Sequence, residues 1–531
     1  MKPVPRLAVS VLCAALAPIA LAHDEPARES GRLGKVTFEN SCAPEVQAKL
    51  NRSVAMLHSF WYSAAEKSFT EVISEDPTCG VATWGLAAIL MSNPLAGQGA
   101  SAQGAQKAMA AIELGRVMGT RTERERDYIE AVAAYYDDWA NKPERARQLA
   151  RAEAFQKLAA KYPRDDEAQI FAALYTAATQ QQSDQTYSAY LKAAAVLEDE
   201  FKKYPDHPGV AHYLIHSYDA PPIAEKGLPA ARLYANLAPD APHALHMPSH
   251  IFTRVGAWED SAATNLRSRD VAKAGGEGDE AYHATDYTVY AYLQLGRDAD
   301  ARRVIDESSQ IKGVNMNILV APYAMGAMNA RYALERSDWQ AAKQLPMPPQ
   351  SGWTPTPANT HFARGLGAAR TGDVGMAREE LAKLAEIQRM LEDKKDKYWA
   401  GEVEVQRLLV AGWIAHAQKN EDDALRLVRA AADLEDRTEK HIVTPGRLIP
   451  ARELLGELLL ETRQPKAALA EFEMSRLREP NRLRNYYLSA LAAEAANDKA
   501  AARNYWGKLA SLGAKGDAAR PELVRAKAAL Q

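Results

Sequence analysis

Apolar residues recur three and four positions apart along most of this chain, which is the spacing of a helix with one buried face. The segments AEAFQKLAAKYP (152–163) and AAAVLEDEFKKYP (193–205) both follow this pattern and then end at Tyr-Pro, where a helix cannot continue. Thr122, followed three residues later by Glu125, has the spacing of a helix-capping box. No segment alternates apolar and polar residues over the length of a strand. The pattern therefore predicts an all-α protein.

One short arrangement recurs along the chain: a turn, then an amphipathic helix with small residues at its crossing points, and in several copies a closing proline. It is found at residues 60–77, 227–242, 256–266, 295–305, 371–381 and 463–480. This arrangement resembles the tetratricopeptide repeat, a helix–turn–helix unit of 34 residues. The clearest copy is 449–482, where the family landmarks at positions 7, 8, 20, 24 and 32 fall on Leu455, Gly456, Ala468, Phe472 and Pro480.

The resemblance implies an all-α, right-handed superhelical solenoid of tetratricopeptide-like helix–turn–helix repeats. The proline-rich segment PMPPQSGWTPTP (346–357) is the best internal boundary. It divides the predicted solenoid into an N-terminal array (46–345) and a C-terminal array (358–531). Residues 23–45 form a short segment before the first repeat.

The N-terminus has the features of a secretory signal peptide over residues 1–22. Lys2 and Arg6 precede an apolar run that ends in Ala-Leu-Ala, a suitable cleavage site. An uncleaved membrane anchor is the alternative, but the run is short for a span and contains Pro18. We therefore expect a periplasmic or secreted protein with no membrane span after cleavage.

Composition narrows the classes of partner. The chain has 531 residues, of which 47% are hydrophobic and 25% charged, so it can bury a large core. The formal net charge is −3, and no basic stripe indicates nucleic acid or an anionic membrane. Solenoids of this kind mostly bind other proteins, so a protein or peptide partner is expected. Nothing in the composition sets the oligomeric state.

Five of the twelve histidines lie within residues 212–250, and four of them form two equivalent pairs. His212 and His216 recur as His246 and His250 after 34 residues, which is one repeat length. In the repeat register the members of each pair occupy positions five and nine of the first helix. The same side chains therefore stand on successive helices.

Four further residues fall at positions two, five and nine of their repeats. His243 and His283 fall at position two of their units, Asp286 at position five and Tyr290 at position nine. The resemblance implies that positions two, five and nine face the concave groove where ligands bind. We therefore expect these four residues to line a ligand site around the two histidine pairs.

The histidine pairs are a predicted metal site. Residues three and four apart share a helix face, and neighbouring helices pack about 8–10 Å apart, so four imidazoles could reach one ion. Imidazole ligands without a thiolate suit Zn, Cu, Ni or Fe. The segment HYLIH has Tyr213 where the zinc proteases carry glutamate, which argues against that activity. The alternative is that these histidines are core residues with satisfied hydrogen bonds.

The register also places Cys42 just before the first helix of the opening repeat and Cys79 just after its second. Both ends of a helical hairpin lie on the same side, so a Cys42–Cys79 disulfide is predicted in an oxidising compartment. The segment 434–456 interrupts the C-terminal array and is either a long inter-repeat connection or a lid or second wall of the groove.

Two function classes follow from these observations. The first is an extracytoplasmic scaffold that binds a protein, peptide or small ligand in its concave groove, with a histidine-rich transition-metal site. The alternative is a metal-dependent enzyme that uses the same histidine cluster. The segments HMPSHIFTRVGAWEDS (246–261) and TEKHIVTPG (438–446) resemble a group of secreted bacterial tetratricopeptide proteins without a settled activity, which adds no catalytic residues.

Overall fold

The computed structural model describes residues 32–97 and 99–531, and within these ranges the chain forms helices and turns but no strand. The predicted signal peptide lies outside the described residues. The first half of the helices is α1 Pro44–His58, α2 Tyr62–Glu75, α3 Ala82–Leu90, α4 Ala102–Met118, α5 Glu123–Tyr136, α6 Glu144–Lys161, α7 Asp166–Ala177, α8 Ser188–Lys203, α9 Pro208–Ser217, α10 Leu228–Leu237, α11 Pro242–His246, α12 Pro248–Val255 and α13 Trp258–Ala274. A short 3₁₀ helix, Ala224–Gly227, precedes α10.

The second half of the helices begins with α14, most of which is buried, and continues to the C-terminus. Its helices are α14 Gly278–Gln294, α15 Asp298–Ser308, α16 Val320–Glu335, α17 Trp339–Lys343, α18 Ala358–Arg370, α19 Val374–Asp393, α20 Lys397–Ala417, α21 Glu421–Glu435, α22 Ala451–Glu461, α23 Pro465–Arg478, α24 Leu483–Ala495, α25 Lys499–Leu512 and α26 Pro521–Leu530.

These helices stack as a solenoid of helix pairs. Nearly every helix packs against the next one along the chain, and alternate helices also touch, as in the series α14, α16, α18, α20, α22 and α24. Contacts of each helix with the next helix and with the one after it are typical of a repeat array, in which each unit buries its apolar face against its neighbours. The all-α, tetratricopeptide-like fold predicted from the sequence is confirmed.

Local signals in the sequence define many of the helix ends. The Thr122 side chain accepts from the Glu125 backbone N–H while the Glu125 carboxylate accepts from that of Thr122, so the predicted capping box is confirmed. Pro248 has no N–H to donate, and the helix is divided at Met247 into α11 and α12. The division nevertheless leaves His246 and His250 on the same face, as the site geometry below shows.

The disulfide and the predicted linker both lie at ends of helices. Cys42, before α1, is bonded to Cys79, after α2, with Cα atoms 4.7 Å apart. Residues 346–357 lie between α17 and α18, and the helices α16 and α18 pack against each other across this segment. Residues 32–531 form one compact unit. The division into arrays at 346–357 stays a prediction.

The two ends of the second half of the array, α14 and α24, are in direct contact. Arg482, just before α24, is fully buried and donates to Glu453 and Glu335, both at 2.6 Å. Gly256 ends α12 in the left-handed region (φ 70°), and a Cβ there would lie 2.8 Å from the Pro480 carbonyl oxygen. The second half of the array is therefore held closed by contacts between residues more than 140 positions apart.

The connection between α21 and α22, residues 436–450, runs across the array. Tyr287 on α14 donates to the Thr444 carbonyl at 3.1 Å, and Arg331 on α16 donates to the Gly446 and Arg447 carbonyls at 3.2 and 2.7 Å. Most of this connection is buried. The first helices of the central repeats consequently face residues of their own chain, where an open groove was expected.

Candidate metal centre

Six histidines of the central repeats form two groups of three. Group A is His212 and His216 on α9 with His243 on α11; group B is His246 at the end of α11, His250 on α12 and His283 on α14. Within each group, one ligand atom from every residue lies within 4.8 Å of the others. All six residues are buried, with 7% exposure at most. The structure thus brings together both predicted pairs, together with His243 and His283.

The outer nitrogens of the group B pair have their hydrogens fixed by their partners. His250 Nδ1 lies 2.8 Å from Asp219 Oδ2, and a carboxylate oxygen only accepts, so Nδ1 carries the hydrogen. His246 Nδ1 lies 2.7 Å from Asn265 Oδ1. The Asn265 amide is oriented because its Nδ2 donates to the Ser261 carbonyl at 2.7 Å. Both Nδ1 atoms are therefore donors.

This arrangement leaves two lone pairs facing each other. A neutral imidazole has one N–H, so the Nε2 atoms of His246 and His250 are both unprotonated, yet they lie 3.0 Å apart. Burial lowers the pKa of both rings, that of His246 well below its usual value, so a proton between them is disfavoured. Two imidazoles bound to one ion at about 2.0–2.1 Å have nitrogens about 3.0–3.4 Å apart. The pair is spaced for a shared cation.

Group A has the same spacing of nitrogens, but only the His212 tautomer is fixed, because His216 Nδ1 has no partner and His216 Nε2–H can donate to His212 Nε2. His212 Nδ1 donates to the His58 carbonyl oxygen at 2.6 Å, so its Nε2 is the unprotonated atom, and it lies 3.1 Å from His216 Nε2. His216 Nδ1 and His243 Nε2 are buried and have no hydrogen-bond partner. Burial also holds the pKa of His212 and His216 well below the usual value. Neutral rings of this kind are the ligand form of histidine.

The two groups lie side by side. The rings of His216 and His250 have centroids 5.7 Å apart, and those of His243 and His246 are 6.0 Å apart. Glu280, one turn before His283, has an Oε2 atom 3.4 Å from His243 Nδ1, and its side chain is 29% exposed. Glu280 is therefore a carboxylate at the solvent edge of the groups, and it was not predicted from the sequence.

Aromatic rings and backbone carbonyls enclose the histidines. Phe60 packs against His212 and His243 with centroids 4.5 and 5.4 Å apart, and Tyr234 stacks on His212 at 5.3 Å. The Tyr287 hydroxyl, which donates to Thr444, lies 3.5 Å from His250 Nε2. These contacts exclude bulk water from the site and place one hydroxyl beside group B.

A buried charge network surrounds Asp219. Arg254 Nε donates to Asp219 Oδ1 at 2.7 Å, and Lys440 Nζ lies 3.7 Å from Oδ2 without a hydrogen-bond partner. Although burial opposes it, the charges of Lys440 and Arg254 hold the pKa of the Asp219 carboxyl well below its usual range. Burial lowers the pKa of Lys440 itself to about 8. Asp219 therefore stays ionised and keeps His250 in one orientation.

A third group, His58, Glu167 and His207, also lies within ligand distance. Here every ring nitrogen has a partner. His58 Nε2 and His207 Nε2 donate to the Glu167 carboxylate at 2.9 and 3.0 Å, while Tyr213 donates to His58 Nδ1 and the Val210 N–H to His207 Nδ1. No lone pairs face each other in this group, so its hydrogen bonds are satisfied and its role is structural. The group also fixes His58, whose backbone carbonyl accepts from His212 Nδ1.

Two residues expected at the site contact other partners. Asp286 Oδ1 lies 3.8 Å from Arg331 Nε, and burial raises the pKa of Asp286 to about 6. Tyr290 donates to Glu479 at 2.8 Å and belongs to the contacts that close the array. The residues that orient the ligands, Asp219 and Asn265, were not identified from the sequence. Asp219 stands three residues after His216, a spacing that could have indicated it.

Comparison with known proteins gives only distant likenesses. No family profile and no curated protein sequence matches the chain. Solved structures that resemble it include an APC/C hetero-tetramer, Cut9-Hcn1, with 12% identity over 91% of this chain and 97% of that one, at a TM-score of 0.29. A tetratricopeptide repeat protein from Parabacteroides merdae has 11% identity over 76% and 98%, at 0.24. Human IFIT1, solved as a dimer with m7Gppp-AAAA, has 10% identity over 78% and 87%, at 0.34.

Likenesses of this extent carry no argument about function. The tetratricopeptide-like fold is assigned from the helix pairs and their stacking, as described above. Among the residues that the structure describes, no helix has both the length and the apolar character needed to cross a membrane.

Proposed function

We propose that this chain is an extracytoplasmic transition-metal protein, and that His246 and His250 provide the central ligands. The observation that carries the proposal is the pair of Nε2 atoms 3.0 Å apart, neither of which carries a hydrogen when Asp219 and Asn265 fix the Nδ1 atoms as donors. In a dry interior such a contact is repulsive between neutral rings. A cation accepts both lone pairs and makes the contact favourable.

The ligand set favours Cu or Zn, with Ni and Fe as the other ions that imidazole suits. Within residues 32–531 no thiolate is available, since the two cysteines there, Cys42 and Cys79, are joined as a disulfide. That disulfide also supports the proposed location, because structural disulfides persist in oxidising compartments. A hydrogen bond from Nδ1 to a fixed acceptor is the usual support of a metal-bound histidine, and it increases the basicity of the ligand nitrogen.

Catalysis is the second candidate function. Group B provides three imidazoles, and a catalytic metal has three protein ligands with one position open to substrate. The Tyr287 hydroxyl next to His250 could orient a molecule bound at that position. A peptide bound in the concave groove has less support, because residues 436–450 occupy this side of the central helices.

Metal analysis tests the proposal. Untagged protein is purified from its native compartment, stripped with a chelator and reloaded by dialysis against Zn²⁺, Cu²⁺, Ni²⁺ or Fe²⁺ in separate samples. We expect stoichiometric metal in the parent and its loss in the double variant His246→Gln/His250→Gln. His207→Gln is the matched control, since it removes a buried histidine of the satisfied group and should keep the metal. A folded parent that retains none of the four metals after reloading would refute the proposal.

A further inference from the structure

We propose that the protein holds two transition-metal ions, the second bound by His212, His216 and His243 beside the first in group B. The inference rests on the proposed function and extends it from one ion to a two-metal centre. Its basis is that group A repeats the ligand geometry of group B on the preceding unit of the array.

Two features of group A favour a bound ion. The Nε2 atoms of His212 and His216 are 3.1 Å apart, against 3.0 Å in group B, and the Nδ1 of His212 is fixed as a donor by a backbone carbonyl. In addition, His216 Nδ1 and His243 Nε2 are buried without partners. An unpaired buried polar atom costs free energy, and metal ligation by His243 Nε2 would remove one of the two.

Six imidazoles are too many for a single ion of this kind. Zinc binds four ligands in structural sites and three in catalytic ones, and copper sites use a similarly small number. The grouping in the structure matches this limit, since the candidate ligand atoms assemble as three and three. Two ions with three imidazoles each account for all six side chains.

The two ions would be neighbours. Ring centroids of His216 and His250, one from each group, are 5.7 Å apart, and those of His243 and His246 are 6.0 Å apart. Glu280 lies against His243, and its negative charge also acts on His283 and His250 of the other group. Its carboxylate is placed to contribute an oxygen ligand at the edge that both groups share.

Such a centre would bind a small oxygen-donor ligand. Paired ions act on opposite ends of one bound group, which a single ion cannot do. With three imidazoles on each ion, the remaining positions are available to hydroxide, to an oxyanion or to the Glu280 carboxylate. The enclosing rings of Phe60 and Tyr234 restrict the ligand to a small molecule.

Titration of chelator-stripped protein with Cu²⁺ alone tests the inference. Bound copper is counted by mass spectrometry and examined by electron paramagnetic resonance. We expect two Cu²⁺ per chain and a half-field signal from the interaction of neighbouring spins. His212→Gln and His246→Gln, one in each group, should each bind one Cu²⁺ and lose the half-field signal. His243→Gln serves as the milder group A variant, because that ring makes a single, long hydrogen bond, to Glu280.

The outcomes separate the two proposals. One Cu²⁺ per chain that survives in His243→Gln and is lost in His246→Gln would overturn the two-metal centre and leave the proposed function standing. No bound copper in folded parent protein would overturn both. Two Cu²⁺ whose resonance has the full intensity of two isolated spins, without a half-field line, would show that the sites are separate, and this also contradicts a two-metal centre. Circular dichroism of every variant shows that the chain is folded in each measurement.

Discussion

Replacing Asp219 with Asn reverses the hydrogen arrangement on which the metal site depends. Asp219 accepts from His250 Nδ1 through one oxygen and from Arg254 Nε through the other. Asparagine keeps the shape but has one oxygen, which we expect Arg254 to retain, so that its NH₂ group faces His250. His250 Nδ1 must then accept, and its hydrogen moves to Nε2. That nitrogen can donate to His246 and can no longer bind a cation.

The magnitude follows from the role of such acceptors. Loss of the partner that orients a metal-bound histidine costs about 10–100-fold in affinity, which is about 1.4–2.8 kcal/mol. An Asp-to-Asn change in a catalytic triad gives the wrong histidine tautomer by the same route, with the geometry intact. Stability also falls, because Arg254 and Lys440 lose the anion they share, and a broken buried ion pair costs about 3–5 kcal/mol.

Affinity is measured by competition with a chromophoric chelator for Zn²⁺ under native conditions, and stability by urea denaturation of the metal-free protein. Glu167→Gln is the matched control. It makes the same change from carboxylate to amide beside two buried histidines, His58 and His207. We expect Glu167→Gln to lower stability while leaving the affinity for Zn²⁺ within about threefold of the parent.

Two results would refute the tautomer argument. In the first, Asp219→Asn binds Zn²⁺ as tightly as the parent while remaining folded. In the second, Asp219→Asn and Glu167→Gln weaken binding equally, so that the effect follows general destabilisation. We expect the affinity of group B for Zn²⁺ to fall in Asp219→Asn and not in Glu167→Gln.

Three further predictions concern stability. Arg482→Met leaves buried carboxylates unpaired and should lower the free energy of unfolding, measured in urea, by about 3–5 kcal/mol. The exposed control Arg503→Met should change it by less than about 0.5 kcal/mol, and equal effects of the two variants would contradict closure of the array by Arg482. Serine at both Cys42 and Cys79 should cost about 2–4 kcal/mol without loss of metal, and unchanged stability would contradict a structural disulfide. Burial raises the pKa of Glu435 to about 8 from about 4.3 unfolded, so the folded state binds the extra proton and stability should fall from pH 5 to 8. The urea midpoint measured against pH shows this fall, and Glu435→Gln should remove it. A parent protein whose urea midpoint does not fall between pH 5 and 8 would contradict the prediction.

Features that depend on neighbours in the sequence could be predicted from it. The period of the apolar residues gives the helices, and the Thr122–Glu125 box gives a helix start, because both are set within a few residues. The 34-residue offset between His212 and His246 is likewise a local property of two successive repeats. This offset alone predicts that two imidazole pairs lie on stacked helices.

Features that depend on distant contacts could not be predicted. Residues 436–450 cross the array through hydrogen bonds to α14 and α16, more than 100 positions away. No periodicity encodes such a contact. For the same reason the register positions of Asp286 and Tyr290 did not determine their partners. Arg331 and Glu479 reach them from elements whose approach depends on closure of the array.

The acceptors around the histidines distinguish a metal centre from a structural cluster. The Nδ1 atoms of His212, His246 and His250 donate to three unrelated groups, a backbone carbonyl, an amide and a carboxylate. These acceptors share no repeat position, yet each leaves Nε2 unprotonated and facing another histidine. In the group of His58 and His207, by contrast, every nitrogen meets a partner of the opposite kind. Repetition explains why the histidines recur, but it does not explain why different acceptors orient them alike. A shared requirement for inward lone pairs explains it, and binding a cation is the chemistry that has this requirement.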